Sequence, residues 1–259
     1  VIHEQNARPG LANKVGARNA AVVALTFPAT PLSARLGNTV VTGLPLRAAI
    51  ADLASRREDA QGAAQARREA AERLGVNPDA PTLLVTGGSL GALHVNESMT
   101  GAVDALPEGV QVVHLTGRGK DESVRASVEA AGLSDRWHVI DYLTTMEDAL
   151  AVADLVVCRS GAGTVAEMEA LGLPCIYVPL PIGNGEQRLN AADHVAAGGA
   201  QLIDDEEFTA DFVRRNVFPL LGSTRLADMA AASQSLGRAG AARALADLAL
   251  DQVKENSNE

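Results

Sequence analysis

The run Thr82-Leu83-Leu84-Val85-Thr86-Gly87-Gly88-Ser89-Leu90-Gly91-Ala92 decides the fold. Leu83, Leu84 and Val85 are apolar without alternation, the mark of a strand covered by helices on both faces. Glycines follow at once, and a helical period then runs through His94, Val95 and Met99. Outward from this stretch, short β-branched runs recur at 21–27, 39–42, 110–115, 137–143, 154–158, 175–179 and 201–203, with segments of helical spacing between most of them. Strand and helix in repeated alternation predict an α/β, Rossmann-like, doubly wound parallel sheet. Ligands of such sheets lie beyond the carboxyl ends of the strands, so residues just after each run are the candidates for function.

The chain has 259 residues, 47% hydrophobic and 21% charged, enough for one large domain or two smaller ones. Its net charge of -10 repels nucleic acid and anionic surfaces, so an anionic ligand must be held by local devices such as helix N-termini. Cys158 and Cys175 both sit in apolar strand-like runs, the usual place of reduced structural thiols. No run approaches the ~20 apolar residues of a membrane helix and no signal peptide is evident, so the chain reads as cytoplasmic. It opens at Val1 in what reads as the end of a buried strand, which points to a fragment. A domain boundary is expected near Leu46, with a remnant of one domain over 1–46, a larger unit over 47–235 and a C-terminal helix and polar tail over 236–259. Residues 48–74 could be a charged linker or a surface helix.

Three loops carry the chemistry. In the first, free N–H groups at the helix start make an anion site with Ser89 as an added donor. A dinucleotide site would also need an acidic residue after the next strand, and His114-Leu115-Thr116-Gly117 offers none. In the second, Arg159-Ser160-Gly161-Ala162-Gly163-Thr164-Val165-Ala166-Glu167, Thr164 and Glu167 lie near each other on the first helical turn. Glu167 can hold the vicinal hydroxyls of a ribose, or the two can form a capping box; spacing alone leaves both open. In the third, after Pro179-Leu180-Pro181, the side chains of Glu186, Gln187 and Asn190 share one face at a helix start, a layout suited to sugar hydroxyls or to a solvated helix end. The acidic run Asp204-Asp205-Glu206-Glu207 reads as a solvated turn, and with no Asp-x-Asp signature neither a metal nor a cofactor is expected.

His3-Glu4-Gln5-Asn6, Gly43-Leu44-Pro45-Leu46-Arg47, Gly87-Gly88-Ser89-Leu90-Gly91-Ala92, the second loop and Glu186-Gln187-Arg188-Leu189-Asn190-Ala191 together resemble the ordered motif series of the MurG family of bacterial glycosyltransferases. The resemblance implies the GT-B fold, two Rossmann-like domains facing a cleft. This chain would cover the tail of the N-terminal domain and essentially all of the C-terminal domain, which binds UDP-N-acetylglucosamine (UDP-GlcNAc). It implies that Arg47 and Ser89 contact the diphosphate, that Leu143 offers backbone groups to uracil, and that Glu167 holds the ribose. Thr164 would approach phosphate and sugar, Gln187 and Asn190 would bind the GlcNAc hydroxyls, and His3, Glu4 and Asn6 would line the acceptor side. Glu186 departs from the Gln common at its position.

The implied reaction is inverting transfer of GlcNAc to the lipid I acceptor, giving lipid II, by an enzyme peripheral on the inner face of the cell membrane. The general base and the membrane surface would lie in the missing N-terminal region. Alternative readings are a non-catalytic nucleotide-sugar-binding module that needs a partner, or another UDP-sugar enzyme such as a UDP-GlcNAc 2-epimerase, for whose acid/base chemistry at C2 no motif is seen.

Overall fold

The structure, a computed structural model, describes residues 1–88, 92–182, 184–237 and 240–257, the side chains of 255–257 excepted. Its first part holds strand β1 (Ile2–Glu4), helix α1 (Leu11–Gly16), β2 (Val22–Leu25) and β3 (Asn38–Val41). These strands form a three-stranded parallel sheet in the order β1-β2-β3, with Ile2 opposite Val23 and Val22 opposite Asn38.

Helices α2 (Ala48–Arg56) and α3 (Ala60–Leu74) follow. The Asp59 side chain accepts the Gly62 N–H at 2.8 Å to start α3, and Gly75, at φ 69°, ends it in the left-handed conformation a side chain would resist. The 48–74 stretch is therefore neither a linker nor wholly a surface helix. Ile50, Leu53, Ala66, Ala70 and Ala71 are buried, because the alanine spacing gives α3 a small-residue face that packs closely on neighbouring helices of the same layer.

The main sheet alternates with helices: β4 (Thr82–Thr86), α4 (Leu93–Thr100), β5 (Gln111–Leu115), α5 (Glu122–Ala130), β6 (Trp137–Ile140), α6 (Met146–Val152), β7 (Leu155–Cys158), α7 (Ala162–Leu171), β8 (Cys175–Tyr177), α8 (Glu186–Asn190), α9 (Ala192–Ala196) and β9 (Ala200–Leu202). Short helix α10 (Ala210–Phe212), then α11 (Thr224–Gln234) and α12 (Ala241–Ser257), complete the chain. The six strands are all parallel in the order β6-β5-β4-β7-β8-β9, so the winding reverses between β4 and β7. That is the doubly wound architecture read from the sequence, and it puts the ligand crevice beside β4 and β7.

Strand alternation splits the core into two layers. Leu84, Val156, Cys158 and Tyr177 face α2, α3, α6 and α7, while Leu83, Val85, Leu155, Val157 and Ile176 face Val95, Met99, Trp137, Phe208 and Phe218. Burying each of these larger side chains stabilises the fold by about 1.5–3 kcal/mol, which fixes the sheet on which the strand-end loops ride. Cys158 and Cys175 are buried free thiols inside this core, as expected.

Candidate nucleotide-sugar site

The carboxyl ends of four strands open into one cleft of about 250 Å³ at the winding reversal. Thr86 and Gly88 reach it from β4, Leu115 and Gly117 from β5, Asp141, Tyr142 and Leu143 from β6, and Cys158 and Arg159 from β7. Thr164, Glu167 and Met168 of α7 form a wall, and Arg47, at the start of α2, closes the rim. The structure thus brings four of the expected residues together: Arg47, Leu143, Thr164 and Glu167. Ser89 lies outside the described residues.

The start of α7 has no side-chain cap. Gly161 is its N-cap, in extended backbone at φ -63° and ψ 150°. A Cβ built at Gly161 or at Gly163 would meet nothing within 4 Å, so packing does not demand glycine at either position. The first N–H groups of such a helix lack intrahelical partners and can donate to an anion. Gly88, at φ 82°, instead needs glycine for its backbone, and its N–H is held by Thr86 Oγ1 at 3.3 Å.

Gly161, not Thr164, is the N-cap, which excludes the capping box that spacing left open. Glu167 turns to Arg47 instead: its Oε1 accepts from Arg47 Nε at 3.0 Å and lies 2.9 Å from Nη2. The Glu167 side chain is 15% exposed and that of Arg47 57%. Burial pushes the Glu167 carboxyl above its usual range, and the charge and hydrogen bond of Arg47 offset only part of that.

Sequence reading placed Leu143 inside a strand, but β6 ends at Ile140 and leaves residues 141–143 as a loop on the rim. Asp141, Tyr142, Met146 and Arg159 are lining residues that reading did not single out; the rule that strand ends carry function pointed to their neighbourhood but not to them. The Arg118 guanidinium stacks on the Tyr142 ring at 3.9 Å from its centroid, fixing an exposed aromatic at the base of the loop. Arg159 donates to the Val178 and Pro179 carbonyls and pairs with Asp205, while Arg188 pairs with Asp204. The acidic run is therefore only in part a solvated turn: two of its members are ion-paired, clamping the segment after β9 to the end of β7 and to α8.

Of the remaining expected residues, none lines this cleft, and Asn190 with Asn6 joins the first part of the chain to α8. Asn190 is fully buried: its Oδ1 accepts the Ala7 N–H at 2.8 Å, and its Nδ2 faces Asn6 Oδ1 and the Ser160 carbonyl, each at 3.4 Å. Gln187 Oε1 accepts the Leu180 N–H at 2.9 Å and so braces the Pro/Gly loop. Glu4 is buried in its own loop. Burial would raise its carboxyl, but hydrogen bonds from the Asn6 N–H, the Asn13 side chain and the Gly10 N–H hold it below the usual range. His3 Nε2 contacts the Gly43 carbonyl at 3.1 Å and Thr26 Oγ1 at 3.3 Å.

Residues 82–249 match the family model described as the glycosyltransferase family 28 C-terminal domain. The chain belongs to glycosyltransferase family 28. Among its family 28 relatives, one from Bifidobacterium adolescentis is 48% identical over 234 residues, covering 85% of this chain and 59% of the relative. Another, from Streptomyces coelicolor, is 45% identical and covers 92% and 62%. Both are named UDP-N-acetylglucosamine--N-acetylmuramyl-(pentapeptide) pyrophosphoryl-undecaprenol N-acetylglucosamine transferase. The crystal structure of Acinetobacter baumannii MurG superposes with a TM-score of 0.73 at 29% identity, over 95% of this chain and 65% of that one. A putative UDP-N-acetylglucosamine 2-epimerase from Listeria monocytogenes, at 21% identity and TM-score 0.53, shares the fold alone. The motif resemblance and the Rossmann-like fold expectation both hold. The chain spans about three fifths of the length of the first of these relatives.

Proposed function

We propose that this chain carries the donor site of an inverting N-acetylglucosaminyltransferase that moves GlcNAc from UDP-GlcNAc to the C4 hydroxyl of undecaprenyl-pyrophosphoryl-MurNAc-pentapeptide, lipid I, to give lipid II. The observation that carries this reading is the uncapped start of α7 beside a cleft lined by Thr164 and by the Arg47–Glu167 pair. It offers what a nucleoside diphosphate needs in a chain of net charge -10: N–H donors and one cation for phosphate, and a carboxylate for ribose hydroxyls.

In this reading residues 47–235 form the donor unit and residues 1–46 belong to the acceptor side, with 236–259 as the C-terminal helix and tail. Leu143 presents backbone groups to uracil, Glu167 takes the ribose, and Arg47, Ser89 and the α7 start take the diphosphate. Thr164 sits where phosphate meets sugar, and Gln187 and Asn190 order the loop that faces the GlcNAc hydroxyls. As the bond from C1 to the UDP oxygen breaks and that from the acceptor O4 to C1 forms, negative charge gathers on the departing phosphate, where the fixed N–H groups and Arg47 stabilise it without moving. The O4 proton passes to a general base that we place outside the residues of this cleft. No helix among the described residues is long and apolar enough to cross a membrane, and contact with the inner membrane surface is assigned to the acceptor side of the whole protein.

Calorimetric titration of the chain with UDP and UDP-GlcNAc tests the site. Saturable binding of both, lost in Arg47→Ala, is expected; absence of UDP binding to the folded chain refutes it. Transfer to a lipid I analogue by the full-length protein tests the reaction.

A further inference from the structure

The loop that leaves β8 carries prolines at 179 and 181, which have no N–H to give to a backbone ladder. Side chains hold its entry instead. Arg159, the residue after β7, donates through Nη1 to the Val178 and Pro179 carbonyls, each at 3.0 Å, and Gln187 Oε1 accepts the Leu180 N–H at 2.9 Å. The same Nη1 pairs with Asp205, 46 positions further on. Asp205 is itself firmly mounted. It opens the short turn Asp205–Glu207 after β9, and the next residue, Phe208, is fully buried and donates its N–H to the Asp204 carbonyl at 3.0 Å.

The pair is also withdrawn from water. The Arg159 side chain is 14% exposed and that of Asp205 16%, against 54% and 49% for the neighbouring Arg188–Asp204 pair. A pair in the open contributes little, whereas a recessed guanidinium that loses its carboxylate stays charged and short of partners. It recovers by turning toward water, and that motion takes its hydrogen bonds away from Val178 and Pro179.

We propose that Asp205 is a positioning residue for the sugar end of the donor site: acting through Arg159, it fixes the loop after β8 and with it the contacts that tell UDP-GlcNAc from UDP. The inference rests on the reading in which this cleft binds UDP-GlcNAc and this loop faces the GlcNAc hydroxyls. Arg159 lines the cleft and Asp205 does not, so Asp205 acts without touching the ligand. The groups given to uridine and diphosphate, Leu143, Glu167, Arg47 and the start of α7, are held by other contacts: Arg47 and Glu167 by each other, and the Ser160 carbonyl before α7 by Asn190 Nδ2 at 3.4 Å. Loss of the Asp205 charge is therefore felt at the sugar and not at the nucleotide.

The test is calorimetric titration of the full chain, of Asp205→Asn and of Asp204→Asn with UDP and with UDP-GlcNAc. In Asp205→Asn, UDP-GlcNAc should bind at least fivefold weaker while UDP stays within twofold of the unaltered chain. In Asp204→Asn, which breaks only the exposed pair, both ligands should stay within twofold. An equal loss of both ligands in Asp205→Asn, or a loss of neither, overturns the proposal, since a merely structural role moves the unfolding midpoint without moving the ratio of the two affinities. A selective loss of the same size in Asp204→Asn overturns it too, because the effect then belongs to the acidic turn as a whole. If the unaltered chain does not bind UDP-GlcNAc, the donor-site reading itself is refuted and this inference falls with it. Should Asp205→Asn fail to fold, Asp205→Glu carries the test: the longer arm displaces Arg159, the affinity ratio should shift at least twofold against UDP-GlcNAc, and an unchanged ratio overturns the proposal.

Discussion

Asn190 Oδ1 accepts the backbone N–H of Ala7 at 2.8 Å, joining residues 183 positions apart. The same amide faces the Ser160 carbonyl, just before the Gly161 N-cap of α7. One buried side chain therefore sets the distance between the loop after β1, the start of α7 and α8. Gln187 of the same short helix braces Leu180, so α8 also ties down the Pro/Gly loop.

Asn190→Ala should destabilise the chain by about 1–3 kcal/mol, since a buried N–H loses its partner and no water reaches it. Urea unfolding measures this. A change under about 0.5 kcal/mol would show that Ala7 finds another acceptor and that the joint is loose.

Two buried histidines make stability depend on pH. His194 lies in a chain from Tyr177 Oη to Nδ1 at 2.9 Å and from Nε2 to Ser233 Oγ at 2.7 Å, and burial pushes it down to about 4. His114, which accepts from Trp137 Nε1 at 3.3 Å and faces Asn96 Oδ1 at 3.0 Å, is pushed down by burial to about 3. Both folded values lie below that of an unfolded histidine, so between pH 6.5 and about 4 the unfolded chain binds more protons. Stability is thus full above pH 6.5 and falls with acidification, each histidine approaching a slope of about 1.4 kcal/mol per pH unit. Urea midpoints from pH 7 to 5 should drop accordingly, and His194→Asn should reduce the slope without abolishing it. A midpoint flat across that range contradicts the assignment.

The sheet was legible because its strands are buried on both faces, and Leu83-Leu84-Val85 or Leu155-Val156-Val157 can mean little else at that length. The strand-end rule then located the cleft with Thr164 and Glu167, while Arg47 and Leu143 came from the family resemblance. What stayed hidden depends on partners distant in sequence. Thr164 and Glu167 have capping-box spacing, and only Arg47, 120 positions away, shows that Glu167 faces outward from its helix. Asn190 reads as an exposed polar residue until Ala7 and Asn6 are laid over it, and Asp205 as a solvated one until Arg159 arrives from β7. In 48–74 the alanines carry too weak a hydrophobic signal to declare a buried face, although alanine is what lets α3 approach.

Arg67 should be the strongest polar anchor of α3. Its guanidinium meets both oxygens of Asp154 at 3.0 Å and 2.9 Å and donates to the Pro78 and Ala80 carbonyls, while Asp154 also accepts the Thr82 N–H at the start of β4. Arg67→Met keeps the aliphatic stem but strands the carboxylate, and a loss of about 1–3 kcal/mol in thermal or urea unfolding is expected after allowing for partial exposure of the pair. An unchanged midpoint would mean that Asp154 relaxes into solvent.

Gly161 separates folding from binding. Alanine there meets no atom within 4 Å and needs no unusual backbone, so Gly161→Ala should cost at most about 1 kcal/mol, the usual penalty of alanine at an N-cap. In the proposed site the added methyl crowds an anion held by the first N–H groups of α7. UDP affinity should fall more than tenfold while the unfolding midpoint barely moves. Preserved affinity in this variant would show that the diphosphate does not rest on α7, and the cradle would have to be sought at the Gly88 turn instead.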